Sequence, residues 1–296
     1  MNVDFTKTKT GWNVHEKMTL LEYTQHVASS QANCWKHIGN VPDDFTTFTP
    51  MKDQARSSLN RAPSEKWDLS AGMDGTKEMM KTGWKDAPST SHLKQVVSDA
   101  AGIAGEDLTV KHAVAGPMLD LGAYCAGLPE CCMTFEPAPA QPVIKIGFDA
   151  ASNWNVPASH MALRGAVVHT IAEWLKPYAS VEVVAFMAIR YRNTRHVVEV
   201  QICDETSPLD SDGLAFFASH PAAFRRTWFA YQESHPNKFR DLIGIGDNYG
   251  TAESLNDPEN EPEVYLNNQC PKTVTEAIAA VHLLAKSIRR EFFHES

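Results

Sequence analysis

Residues 143–149 read VIKIGFD, and residues 160–175 read HMALRGAVVHTIAEWL. Together they decide the fold. The first is a compact apolar run between Pro142 and a polar loop, too short for a helix, and it reads as a buried strand ending in Asp149. The second continues without a break until Pro177, which a helix does not pass, and it reads as a helix. Two further runs, Ser180–Ile189 (SVEVVAFMAI) and His196–Cys203 (HVVEVQIC), read as a second and a third strand. A strand, a helix of this length and another strand imply a parallel crossover, and with it an α/β sheet flanked by helices.

Working outward, residues 210–233 are helical and rich in aromatics, and Glu263–Asn267 is a short strand. Residues 273–293 form an amphipathic helix with Thr273 and Glu276 as a capping box. Upstream, 107–115 alternates as a strand does. Residues 116–142 are rich in Gly, Pro and Cys and read as an ordered loop or short helix. Residues 89–101 read as a short helix, and 18–28 as a helix whose Thr19 and Glu22 form a second capping box. The expected organisation is an irregular, α-rich appended region over 1–104 and an α/β domain over 105–296.

The chain has 296 residues, 43% of them hydrophobic, and a formal net charge of −9. That is enough for a sizeable core, and no run approaches the ~20 apolar residues of a membrane span. The first residues, MNVDFTK, hold no signal-like apolar segment, and six cysteines are too few for a disulfide scaffold. The expected location is therefore the cytoplasm. The charge is uneven: residues 1–95 hold 12 Lys and Arg against 11 Asp and Glu, and the remainder 15 against 25. The stretch 241–263 has seven acids and no Lys or Arg, and reads as an exposed acidic loop unable to order itself fully. The negative total thus leaves room for a basic surface elsewhere.

Catalytic signatures are missing from the sequence. It holds no Gly-x-Ser-x-Gly elbow, phosphate-binding loop, His-Glu-x-x-His pair or Cys-x-x-Cys pair, and the glycines of 244–250 neither follow a strand nor open a helix. No enzyme, cofactor or bound metal is expected. Asp149 stands at the carboxyl end of a strand, where open α/β sheets bind ligands. With the following Ala-Ala-Ser-Asn, it resembles the start of a von Willebrand A-type domain, which places Asp-x-Ser-x-Ser there to hold a divalent cation. That resemblance implies a von Willebrand A-like, Rossmann-type sheet. Ala151 and Asn153 replace the two serines, so Asp149 is a degenerate metal position with a structural role as the plainer expectation.

The basic–aromatic clusters carry more. Residues 190–196 (RYRNTRH) put Arg190, Tyr191, Arg192 and Arg195 in the turn between two strands, and Phe224–Tyr231 sets Arg225 and Arg226 among aromatics. Trp67 and Trp84 lie among lysines and arginines of the N-terminal region. Cations that track phosphates beside rings that stack on bases are how single-stranded nucleic acid is held. The plainer reading of the 224–231 cluster is core, with its arginines snorkelling or paired to acids.

The segments Asp120–Met133 (DLGAYCAGLPECCM) and Leu209–Ala230 (LDSDGLAFFASHPAAFRRTWFA) resemble an uncharacterised bacteriophage and mobile-element family. Its members carry DVGAYLAGEPECM and DRLAFALAHPA-LRR segments, and Arg164-Gly165 matches as well. The resemblance implies a phage-encoded protein in the host-cell cytoplasm. With the clusters above, it points to a non-enzymatic single-stranded-DNA-binding protein that recruits a phage or host polymerase or replication partner. The alternative is a von Willebrand A-like adaptor that binds protein and no DNA.

Overall fold

A strand with every second side chain apolar and buried lays one face on the core, and Val143–Asp149 does so. Ile144, Ile146 and Phe148 share a face and are fully buried, while Val143 is exposed and Lys145 half-buried on the other. The computed structural model describes residues 1–9, 11–29, 69, 72–85, 110–113, 118–135, 142–153, 155–176, 178–206, 210–245, 249–255, 262–267 and 269–292. In chain order the elements are β1 (Asn2–Lys7), β2 (Trp12–Thr19), α1 (Leu20–Ser29), α2 (Met73–Thr82), β3 (Val110–Ala113), β4 (Met118–Leu119) and α3 (Leu121–Cys125). There follow β5 (Cys132–Phe135), β6 (Val143–Asp149), α4 (Ala158–Leu175), β7 (Ser180–Tyr191), β8 (Thr194–Cys203) and α5 (Ser211–Ser219). A π-helix (Ala223–Trp228), α6 (Phe229–Glu233), α7 (Asn237–Ile243), β9 (Thr251–Ala252), β10 (Val264–Leu266) and α8 (Val274–Phe292) complete the chain.

Seven strands form a mixed sheet in the order β1-β2-β8-β7-β6-β10, with β9 pairing β7. The expected crossover is there: β6 and β7 are parallel and joined by α4. β7 and β8 make an antiparallel hairpin, and β10 lies parallel on the far side of β6. Helix α4 buries Met161, Val167, Val168, Ile171 and Leu175, and such all-round burial marks a helix packed between layers. Its neighbours include α5 and α8. A Cβ at Gly165 would lie 2.0 Å from the carbonyl oxygen of Ala218, so only glycine lets α4 and α5 approach this closely. Both expected capping boxes are built: Thr19 Oγ1 accepts from Glu22 N at 3.3 Å, and Thr273 Oγ1 from Glu276 N at 3.2 Å. No described helix is long and apolar enough to cross a membrane.

Three expectations need correction. The division at residue 104 does not follow the sheet, because Asn2–Lys7 and Trp12–Thr19 are two of its strands, with β2 parallel to β8. The stretch 116–142 holds the strands β4 and β5 around α3; with β3 they form a separate three-stranded sheet. The described parts of 241–263 are ordered: Ile243, Ile245 and Leu255 are buried, and Thr251–Ala252 pairs with β7. Its apolar residues, spaced among the acids, supply burial that the overall composition does not reveal. The helix expected over 89–101 lies outside the described residues.

Candidate functional site

Strand register sets one end of the sheet. Lys7 pairs with Trp12, Trp12 with Thr194, and Thr194 with Tyr191, so these four residues form one row across four strands. The turn that joins β1 to β2 rests on the turn that joins β7 to β8; a Cβ at Gly11 would fall 1.9 Å from the carbonyl oxygen of Asn193. Lys7, Lys9 and Arg192 are exposed along this rim and Trp12 is half-buried. The Lys7 ammonium stands 5.9 Å from the centre of the Trp12 ring, and the Arg192 guanidinium 4.9 Å from that of Tyr191. Both are cation–π distances. Gly244 (φ 77°) lets the chain pass beneath the Tyr191 ring, where a Cβ would come within 2.5 Å of it. Tyr191 thus orients Arg192, and the half-buried Trp12 ring faces Lys7.

The other named residues divide. Arg190 is 49% exposed and paired with Glu253, whose Oε2 also lies 3.6 Å from Arg195 Nε. Arg195 further donates to the carbonyls of Leu255 and Ser254, so it ties the 249–255 segment to the sheet. Arg225 and Arg226 are 2% and 0% exposed, beyond the reach of a phosphate backbone. Arg225 donates to the carbonyl of Val156, and Trp228 between them and α6 is fully buried; this cluster is core, with its guanidinium groups satisfied inside the protein. Trp84 is also a packing residue, its ring edge-on to His220 at 4.5 Å and its backbone N–H on Asp212. Trp67 lies outside the described residues.

A second constellation sits inside the molecule. Strand β2 buries every second residue, Val14, Glu16 and Met18, so the carboxylate occupies a core position. His196 on β8 shares that face, as does His235 after α6, and all three are 0% exposed. Glu16 Oε1 lies 2.5 Å from His196 Nε2 and 3.1 Å from His235 Nε2, and Oε2 accepts from the Tyr231 hydroxyl. Burial alone would raise the Glu16 pKa, but the charges of His235 and His196 and the imidazole hydrogen bonds outweigh it and hold the group far below the usual carboxylate range. Burial pushes the His196 imidazole down, against the pull of Glu16. Trp228 stacks on His196 at 5.6 Å, and Phe239 on His235 at 4.6 Å.

Asp149 is buried at the end of β6, where Tyr265 donates to its Oδ1 at 2.5 Å. The loop after it is held by the buried Arg164, which donates to the carbonyls of Ala150 at 3.0 Å and Ala151 at 3.3 Å, and to Ser152 Oγ at 3.1 Å. Cys131 and Cys132 are both half-buried.

Sequence reasoning passed over Lys7, Lys9 and Trp12 because they stand in a region read as appended, some 180 positions from the turn they join. The signal was the alternation of Val14, Glu16 and Met18, interrupted by a charge at its middle inward position. Residues 13–289 match a family model described as a domain of unknown function (DUF7192). No curated protein and no solved structure matches the chain.

Proposed function

The chain belongs to the DUF7192 family, and from that premise we propose that it is a non-enzymatic, phage-encoded protein that binds single-stranded DNA and recruits a polymerase or replication partner to it. One observation carries this reading: the row Lys7–Trp12–Thr194–Tyr191, set by strand register, brings Lys7 to the Trp12 ring and Lys9 and Arg192 to the same exposed rim. A base stacks on Trp12 in place of the Lys7 ammonium, which moves to the adjoining phosphate, and Arg192 takes the next one. Glu253 pairs with both Arg190 and Arg195 and holds them out of the contact. The recruiting half draws on the likeness to phage proteins and on the exposed Leu119, Leu121, Tyr124 and Leu128, apolar side chains of the kind that protein partners cover.

Fluorescence anisotropy with labelled oligo-dT tests this. Three cations on phosphates give a slope of about −2 in log affinity against log salt. Trp12→Ala costs about tenfold in affinity, within the ~1–3 kcal/mol of a base–aromatic stack. No binding at low salt, or full affinity in Trp12→Ala, rules the reading out.

A second reading, the von Willebrand A-like adaptor, is supported by the sub-order β8-β7-β6-β10 with a terminal helix. In that case the Arg164 guanidinium, bonded to the loop after Asp149, serves where the cation of a von Willebrand A-type domain would. It predicts partner capture that is indifferent to Mg²⁺ and no oligonucleotide affinity; capture that requires Mg²⁺ would count against this metal-free form.

A further inference from the structure

The donor and acceptor census around Glu16 is unusual for a protein interior. His235 Nδ1 lies 2.9 Å from the carbonyl oxygen of Tyr231 and 3.2 Å from that of Gln232. Carbonyls only accept, so Nδ1 carries a proton. The lone pair of a neutral His235 is then on Nε2, aimed at Glu16 Oε1, which has lone pairs of its own. His196 Nε2 points at the same oxygen, and its Nδ1 is buried without a hydrogen-bond partner. Something positive belongs where the two imidazoles and the carboxylate converge: either an extra proton, leaving an imidazolium in an apolar shell, or a metal ion.

The donor set suits the metal. Two imidazole nitrogens and a carboxylate oxygen, one from each residue, lie within 4.8 Å of one another. The Glu16–His196 contact, a hydrogen bond at 2.5 Å, opens to the ~3.4 Å that separates donors on a tetrahedral ion at ~2.0–2.2 Å from each. An Nδ1–H held by a backbone carbonyl is the outer contact that fixes a metal-bound histidine, and Tyr231 holds the second carboxylate oxygen in the same way. The stacked Trp228 and Phe239 rings hold the imidazoles in place. A π-helix, which shifts side-chain register by one residue, ends at Trp228 just before Tyr231 and His235, and such insertions gather at functional positions. We propose that Glu16, His196 and His235 bind one divalent ion of the zinc class, with a water as further ligand, and that this ion fastens β2 and β8 to the segment after α6. The site departs from the metal-free expectation drawn from sequence, where no local spacing motif exists.

The test uses the full-length protein, dialysed against EDTA and titrated with Co²⁺ and then Zn²⁺. One Co²⁺ per chain, with the visible ligand-field bands of nitrogen and oxygen coordination, is expected, and Zn²⁺ displaces it. Zinc at ~100-fold above its dissociation constant raises the melting temperature by about 5 °C or more, and EDTA reverses the shift. Calorimetry in two buffers reports proton release, because the ion replaces the proton shared in the cluster. His235→Ala removes the one-equivalent site; the same uptake in a folded His235→Ala protein overturns the proposal. Where that variant does not fold, the native chain decides alone: no uptake at micromolar metal and an unmoved melting temperature mean that the cluster is held by a proton.

Discussion

Arg192 holds a backbone conformation that L-residues avoid, with φ at 51° in a two-residue hairpin loop where glycine is the usual choice. An arginine kept there has its side chain thrown clear of the sheet, over the Tyr191 ring. Arg192→Gly therefore separates stability from binding. The variant gains about 1 kcal/mol in urea unfolding through relief of the left-handed strain, yet binds oligo-dT several-fold more weakly; unchanged affinity would remove Arg192 from the nucleic-acid contact. Glu199 supplies the pH dependence. It is bordered by His15 at 3.3 Å, Lys17 at 3.2 Å and Lys145 at 3.5 Å. Burial would raise its pKa, but the His15 hydrogen bond and the two lysine charges outweigh that and bring it to about 2 from 4.5. A depressed folded pKa means that the stabilisation is complete above the unfolded value and fades as pH falls from 4.5 toward 2. Glu199→Gln is thus less stable than the native chain by about 2 kcal/mol at pH 6, a gap that narrows toward pH 3. A gap independent of pH would show that Glu199 acts by shape and not by charge.

At the scale of elements, Gly165 tests how tightly α4 and α5 are locked. The Ala218 carbonyl stands 2.0 Å from where a Cβ would be, and it is backbone, unable to swing aside. Gly165→Ala forces the helices apart and costs roughly 2–3 kcal/mol, several degrees in melting temperature; a neutral result would mean that this interface slides freely. The elements on this side of the molecule were readable because their periods are clean. β6 and β7 are short, mostly apolar runs between turn signals, α4 is buried on nearly every face, and α8 carries its cap in its first residues. β1 and β2 escaped because NVDFTK and WNVHEK read as polar, and the inward position between Val14 and Met18 is occupied by Glu16. The charge that hid the strand is the same charge that two histidines meet from 180 and 219 residues away, a separation no local motif spans. Arg225 and Arg226 misled in the opposite way. Basic residues among aromatics look alike on a surface and in a core, and only burial, 2% and 0% exposure here, tells them apart.

For the molecule as a whole, the net charge of −9 matters less than where the cations stand. The rim that gathers Lys7, Lys9 and Arg192 exists only because the N-terminal strands and the β7–β8 hairpin, far apart in sequence, meet in one sheet. That dependence extends to folding. β2 pairs with β8 along eight residues, places Met18 in the main core, sets Val14 beside Val3, Ile189, Phe239 and Ile243 in a smaller one, and carries the only carboxylate in hydrogen-bond reach of both His196 and His235 among the described residues. A chain beginning at residue 20 would expose the edge of β8 as an unpaired row of backbone donors and acceptors, and would leave two buried imidazoles facing no acid. The losses exceed the ~5–15 kcal/mol that holds an ordinary domain together. The truncated chain is therefore expected to fail to fold cooperatively, with no sigmoidal thermal transition by circular dichroism and no dispersed amide spectrum. An independently appended N-terminal region would behave otherwise: residues 20–296 would melt cooperatively near the temperature of the intact chain, and that result would show β1 and β2 to be additions to a complete sheet.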